Sequence, residues 1–138
     1  MNQGARPVTL GQVLISIVIP AFNEAKYLPV SLEAAHRSRA VLGQAGWTSE
    51  VIVCDNNSTD DTAAVAKGNG VRVVFEQFNQ IAASRNAAAR AARGDWLVFV
   101  DADTQVTPKL FREMMRAMVR DDCLGGGCPV KFDSGPWL

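Results

Sequence analysis

Four short apolar runs recur along the chain, each closed by polar or turn-forming residues. They are Leu14-Ile15-Ser16-Ile17-Val18-Ile19, Val51-Ile52-Val53-Cys54, Val71-Arg72-Val73-Val74-Phe75 and Trp96-Leu97-Val98-Phe99-Val100. Their β-branched and aromatic content and their length predict strands buried on both faces. Helical spacing fills the gaps. Leu28, Leu32 and Ala35, with Arg39 in the same register, predict a helix over 27–42, and a short helix over 60–67 is stopped by Gly68. The alanine-rich stretch 81–93 stops at Gly94, and a fourth helix over 108–119 opens on Pro108, proline being suited to a first helical turn and glycine to a helix stop. Alternating strands and helices predict a three-layer α/β/α domain around a mainly parallel sheet, a Rossmann-like plan whose ligands lie outside the carboxyl ends of the strands.

Beyond the fourth helix, Gly125 to Phe132 predicts a further strand entered through a glycine turn, and nothing after it closes the domain before Leu138. The expectation is one domain over 13–138, truncated at its C-terminus, with a polar, disordered stretch over 1–12. At 138 residues the chain is long enough for one domain with a substantial core. The 14 basic and 14 acidic residues cancel, so no overall field favours nucleic acid or an anionic membrane. Trp47, Trp96 and Trp137 form no repeated stacking platform, and no nucleic-acid partner is expected. Cys54, Cys123 and Cys128 lack metal-ligand spacing and read as free thiols, which implies a reducing, cytoplasmic location, with peripheral attachment to the inner face of a membrane left open. Val13 to Phe22 is too short for the ~20 residues of a membrane span and has no cleavage signal, so a strand is expected there, and no transmembrane segment.

Chemistry concentrates where the runs end. The first gives way to Pro20-Ala21-Phe22-Asn23-Glu24, readable as a helix cap or as a polar rim. After the second, Ser58 and Asp61 have the spacing of a capping box, whereas Asp55 directly follows a buried run, where a charge is costly without a partner. A carboxylate there can accept the imide N–H of a pyrimidine base. The fourth run ends in Asp101-Ala102-Asp103. Extended backbone would point both carboxylates to one side about 7 Å apart, a pair that suits a hard divalent cation shared with phosphate oxygens. Arg85 belongs either to a solvated face with Arg90 and Arg93 or to an inward ion pair with a carboxylate or phosphate.

Taken together, Ile17 to Glu24, Val53 to Thr62, Ala83-Ser84-Arg85-Asn86 and Gly94 to Asp103 resemble glycosyltransferase family 2 in order and gaps, over most of residues 15–132. The resemblance implies a GT-A fold and an inverting transfer of a sugar from a nucleoside diphosphate, UDP- or GDP-linked, to an acceptor hydroxyl. It implies that Pro20, Ala21, Asn23 and Glu24 line the nucleotide pocket, that Asp55 reads the base, and that Arg85 supports the pocket or approaches the diphosphate. Asp101 would lie near the ribose or the metal, and Asp103 would be the main ligand of Mg²⁺ or Mn²⁺. Asn57 stands where the family often has glycine, a tolerable exchange because asparagine accepts a left-handed turn.

The acceptor-side segment with the acidic general base has no counterpart. Glu113, Asp121, Asp122 and Asp133 are the only later acids, and none lies in such a motif. The alternative is therefore a non-catalytic nucleotide-sugar-binding or assembly module, with self-association through an uncovered apolar face. A dinucleotide-binding fold or phosphate-loop NTPase is disfavoured by the lack of their glycine motifs. A nucleotidyltransferase is disfavoured by the acidic, glycine-free turn after the first strand.

Overall fold

The structure, a computed structural model, describes residues 13–120 and 122–129. Strands β1 (Leu14–Ala21), β2 (Thr48–Asp55), β3 (Arg72–Phe75) and β4 (Trp96–Phe99) alternate with helices α1 (Leu28–Gln44), α2 (Thr62–Gly68), α3 (Ile81–Ala91) and α4 (Pro108–Met118). Every strand pair is parallel, in the order β3-β2-β1-β4. Ile17 pairs with Val51 on one side and Val98 on the other, and Ala21 faces Asp55. The predicted three-layer α/β plan is the observed one. The expected N-terminal disorder over 1–12 lies outside the described residues. Of the strand expected over 125–132, residues 125–129 are described and form no strand, and 130–132 lie outside the described residues.

Side-chain alternation builds two cores. On one face Ile15, Ile17, Ile19, Val51 and Val53 pack against Leu28, Leu32, Ala35 and Leu42 of α1 and Phe111 of α4. On the other, Val18, Ile52 and Cys54 meet Ala88 of α3, so among the described residues α3 stands alone on its side of the sheet. Arg39 is not part of the α1 core face. It is half-exposed, while Ser38 turns inward and its hydroxyl donates to the Val106 carbonyl at 3.2 Å.

The expectation of strands buried on both faces holds for β1 and the end of β2 and fails for β3 and β4. Leu97 and Phe99 are 39% and 44% exposed. Among the described residues β4 is an edge strand, and α3 packs over β1, β2 and β3. Two helix ends also move inward. α2 begins at Thr62 rather than Asp60, because the Asp60 carboxylate accepts the Thr62 amide at 2.9 Å and makes a turn ahead of the helix. α3 ends at Ala91 rather than Arg93, because the Arg93 amide is drawn to Glu50 Oε1 at 2.7 Å.

Candidate functional site at the carboxyl rim of the sheet

From β1 the chain proceeds outward to β2 and β3, then returns to the other flank of β1 as β4. This reversal opens a crevice between the ends of β1 and β4, where open α/β sheets take their ligands. The turns that follow β1, β2, β3 and β4 all emerge on this rim.

The first two turns are locked together. Asn23 takes a left-handed backbone conformation (φ 52°). Its amide donates to Ser58 Oγ at 3.0 Å, and its side-chain oxygen accepts from Thr59 N at 2.8 Å, Thr59 Oγ1 at 3.2 Å and Asp60 N at 3.3 Å. The Glu24 amide donates to Thr62 Oγ1 at 2.9 Å and the Ala25 amide to Asp60 Oδ2 at 3.2 Å. The capping-box reading of Ser58 and Asp61 is thereby overturned. Asp61 is the N-cap of α2 but makes no side-chain capping bond, and the Ser58 hydroxyl is engaged by Asn23. Likewise Asn23 pins the second turn instead of capping α1.

Asp55 lies 7% exposed at the end of β2. The partner its burial requires is the Ser58 amide, which donates to Oδ1 at 3.1 Å. Asn57 has φ 61°, the left-handed geometry expected where glycine was replaced. The turn after β3 joins the same lattice: the Asn56 side chain donates to the Phe78 carbonyl at 2.8 Å, and Asn79 Nδ2 donates to the Asn56 carbonyl at 3.0 Å. Pro20 and Ala21 are buried and form the floor of the rim.

On the other flank of β1, strand β4 stops at Phe99, and Asp101-Ala102-Asp103 is a turn closed by the Thr104 amide donating to the Asp101 carbonyl at 2.9 Å. The strand geometry invoked for the two carboxylates is therefore not how they are placed. Ala102 is buried and both aspartates are exposed. Arg85 comes from α3 to meet Asp101, Nη2 to Oδ1 at 3.3 Å. It thus pairs with a carboxylate as the second reading has it, but at the surface rather than facing inward, with side chains 43% and 60% exposed. Its Nε is buried without an acceptor among the described residues. Beside this pair a concave region of about 510 Å³ is lined by Ile81, Ala82, Arg85, Asn86 and Phe99.

Glu24 senses the other acids of the rim. Partial burial, and then the charges of Asp103 and Asp60, hold the Glu24 carboxyl above the usual carboxylate range. Asp60 goes the other way, lowered chiefly by the Thr62 hydroxyl. Asp103 from the β4 turn is thus near enough to Glu24 from the β1 turn to oppose its ionisation. Among the described residues, no three of His, Cys, Asp and Glu are grouped to hold a metal ion on their own.

Two contributors escaped the sequence reading. Phe22, 48% exposed between Ala21 and Asn23, presents an aromatic face at the rim; an aromatic residue at a polar strand end was the available signal. Asn56 is 4% exposed, its side-chain oxygen without a partner among the described residues, and no local pattern distinguishes it from its neighbour.

The sequence profile of Glycosyl transferase family 2 matches residues 16–137. The chain belongs to this family. An uncharacterised glycosyltransferase of Mycobacterium bovis is 33% identical over 128 residues, which are 90% of this chain and 53% of that protein. Escherichia coli chondroitin synthase is 34% identical over 100 residues, 69% of this chain and 14% of the synthase. An uncharacterised glycosyltransferase of Rickettsia prowazekii is matched over only 28% of its length, so the chain spans about half or less of these relatives.

Solved structures of the GT-A fold superpose on the family 2 domain. Mycobacterium tuberculosis glucosyl-3-phosphoglycerate synthase in complex with Mn²⁺, UDP and glucosyl-3-phosphoglycerate has a TM-score of 0.65 at 25% identity, covering 80% of this chain and 41% of the synthase. S. aureus TarS 1–349 in complex with UDP-GlcNAc has a TM-score of 0.62 at 22% identity, covering 75% and 30%. At that identity TarS supports the fold alone. No helix among the described residues is long and apolar enough to cross a membrane.

Proposed function

We propose that the carboxyl rim binds the nucleoside diphosphate of a nucleotide sugar, with UDP as the nucleotide, for inverting transfer of the sugar to an acceptor hydroxyl. The observation that carries this reading is the Arg85–Asp101 contact at 3.3 Å, which sets a guanidinium and a carboxylate beside the crevice between β1 and β4. The structurally similar glucosyl-3-phosphoglycerate synthase, solved with UDP and Mn²⁺, supports the choice of nucleotide.

In this reading Phe22 offers its exposed ring to the base, and Asp55 accepts the imide N–H on the oxygen that Ser58 leaves free. The Asn23 lattice fixes the loops around the base, while Pro20 and Ala21 support them from below. Arg85 approaches the diphosphate with a fork of donors suited to phosphate oxygens. Asp103, with Asp101 beside it, would hold a Mg²⁺ or Mn²⁺ ion. Such ions need only one or two carboxylates when phosphates and water complete the shell, and exposed carboxylates beside a Glu24 raised by partial burial and then by neighbouring charge fit that donor set. Such an ion would supply Lewis-acid stabilisation of the charge gathering on the departing diphosphate. Inversion also needs a base for the acceptor proton, a role given to no residue of this chain. Turnover by the chain itself separates this reading from a module that only binds the donor.

Calorimetric titration of UDP, GDP and their sugar conjugates, with and without Mn²⁺, tests the proposal. UDP binding strengthened by Mn²⁺ and weakened at least about tenfold in Asp103→Ala is expected, as for loss of one ligand to a shared cation. Equal affinity in every arm would remove it.

A further inference from the structure

The Arg85–Asp101 pair has features of a temporary contact. Its 3.3 Å separation is longer than the roughly 2.7–2.9 Å of a strong charge-assisted bond. Only one guanidinium nitrogen takes part, and both side chains are substantially exposed, 43% for Arg85 and 60% for Asp101. A pair of this kind shifts an equilibrium by no more than about fivefold. The Arg85 Nε, meanwhile, is buried and unpartnered, so the guanidinium retains an unused donor. Nearby, Asp103 and Asp60 oppose the ionisation of the partly buried Glu24, and none of these three acids has a cationic partner among the described ion pairs.

We propose that Arg85 is the internal counter-ion of Asp101 in the nucleotide-free site, and that an arriving diphosphate draws Arg85 off and hands Asp101 to the divalent cation. This rests on the nucleotide-sugar reading above and adds an order of events to it. Before nucleotide arrives, Arg85 occupies one of the two carboxylates of the 101–103 turn and its positive charge repels a dication. Once a diphosphate is present, its oxygens satisfy both guanidinium edges and supply the missing cation ligands. The result is positive coupling between nucleotide and cation, reciprocal by linkage. Arg85 acts here as a positioning residue: it governs when Asp101 is free.

The test measures Mn²⁺ alone by the electron paramagnetic resonance of the free ion, UDP alone by calorimetry, and each in the presence of the other. In Arg85→Met, Mn²⁺ alone binds roughly two- to fivefold more tightly and UDP alone binds more weakly, opposite shifts from one substitution. Adding Asp101→Asn to Arg85→Met cancels the gain in Mn²⁺ affinity. Arg85→Lys, which keeps the charge and loses the fork, shifts both constants the same way by less, and it carries the test should the methionine variant misfold. A merely structural arginine would lower both affinities together. Mn²⁺ affinity that is unchanged or lower in Arg85→Met, with normal UDP–Mn²⁺ binding in the wild type, overturns the counter-ion role and leaves the functional reading intact. A wild-type chain that takes up no UDP even with Mn²⁺ overturns that reading, and this one with it.

Discussion

The backbone amide of Asn23 donates to the hydroxyl of Ser58 at 3.0 Å while the Asn23 side chain accepts from the two residues that follow Ser58. One asparagine thus joins the turn after β1 to the turn after β2. It can do so because its left-handed backbone swings the side chain across β1 toward β2. Asn23→Ala removes the acceptor and leaves a residue poorly suited to that conformation, so a loss of about 2 kcal/mol in chemical denaturation is expected. Asn23→Gly, which relieves only the backbone, should recover about 1 kcal/mol of it. Equal stability of the two variants would show that the conformation does not matter.

Gly94 touches the start of β1 at the opposite rim. A Cβ on it would come within 2.6 Å of both Ser16 N and Ser16 Oγ and 2.9 Å of the Leu14 carbonyl. Two of these are backbone atoms held in the sheet, so the neighbour cannot give way. Gly94→Ala should cost roughly 2–4 kcal/mol, measured as a lower denaturation midpoint with an unchanged slope.

Glu50 organises that same rim, its carboxylate accepting from Ser16 Oγ at 2.6 Å, Arg93 N at 2.7 Å and Arg72 Nη2 at 2.9 Å. Burial pushes its pKa up, and these partners together outweigh burial, so the net effect is downward from 4.5. A depressed carboxylate contributes stability above its unfolded pKa and loses it as pH falls through the folded value. Glu50→Ala should therefore cost about 2 kcal/mol at pH 7, with the gap to wild type narrowing below pH 4.5. A gap independent of pH would point to lost packing instead.

Glu24 carries the opposite sign. Its pKa lies above 4.5 because of burial and then Asp103 and Asp60. The protonated form is therefore favoured in the folded state, and its contribution is full below the unfolded pKa and lost as pH rises through the folded one. Glu24→Gln should melt slightly higher than wild type at pH 7, by roughly a few tenths of a kcal/mol at this partly exposed position, and the difference should vanish in acid. A variant less stable than wild type at neutral pH would refute the repulsion.

The strands, their order along the chain and the rim they share were legible because period-two apolar runs and their polar endings are local signals. Asp55, Asp101 and Asp103 were found by their positions next to those runs, whereas Arg85, within a helix, stood out only through the family resemblance. What local pattern could not convey was tertiary demand. The Arg93 amide leaves α3 early because Glu50 waits on β2, and Ser58 abandons its capping role because Asn23, 35 residues earlier, claims its hydroxyl. The aspartate pair was located correctly in sequence, yet its strand geometry was wrong, since β4 ends two residues before Asp101. Leu97 and Phe99 read as core because side-chain chemistry does not reveal which strand will lie at the edge of a sheet.

Ala88 lies fully buried where α3 rests on Val18 and Ile52, three residues along the same helix from Arg85. It serves as a shim whose thickness fixes the height of α3 above the sheet. A close-packed interior leaves little room for added methyl groups, so a bulkier residue there would lift the whole rod and carry the guanidinium out of reach of Asp101. The chemistry of the rim is thus tuned from beneath, by the volume of a side chain that no ligand touches.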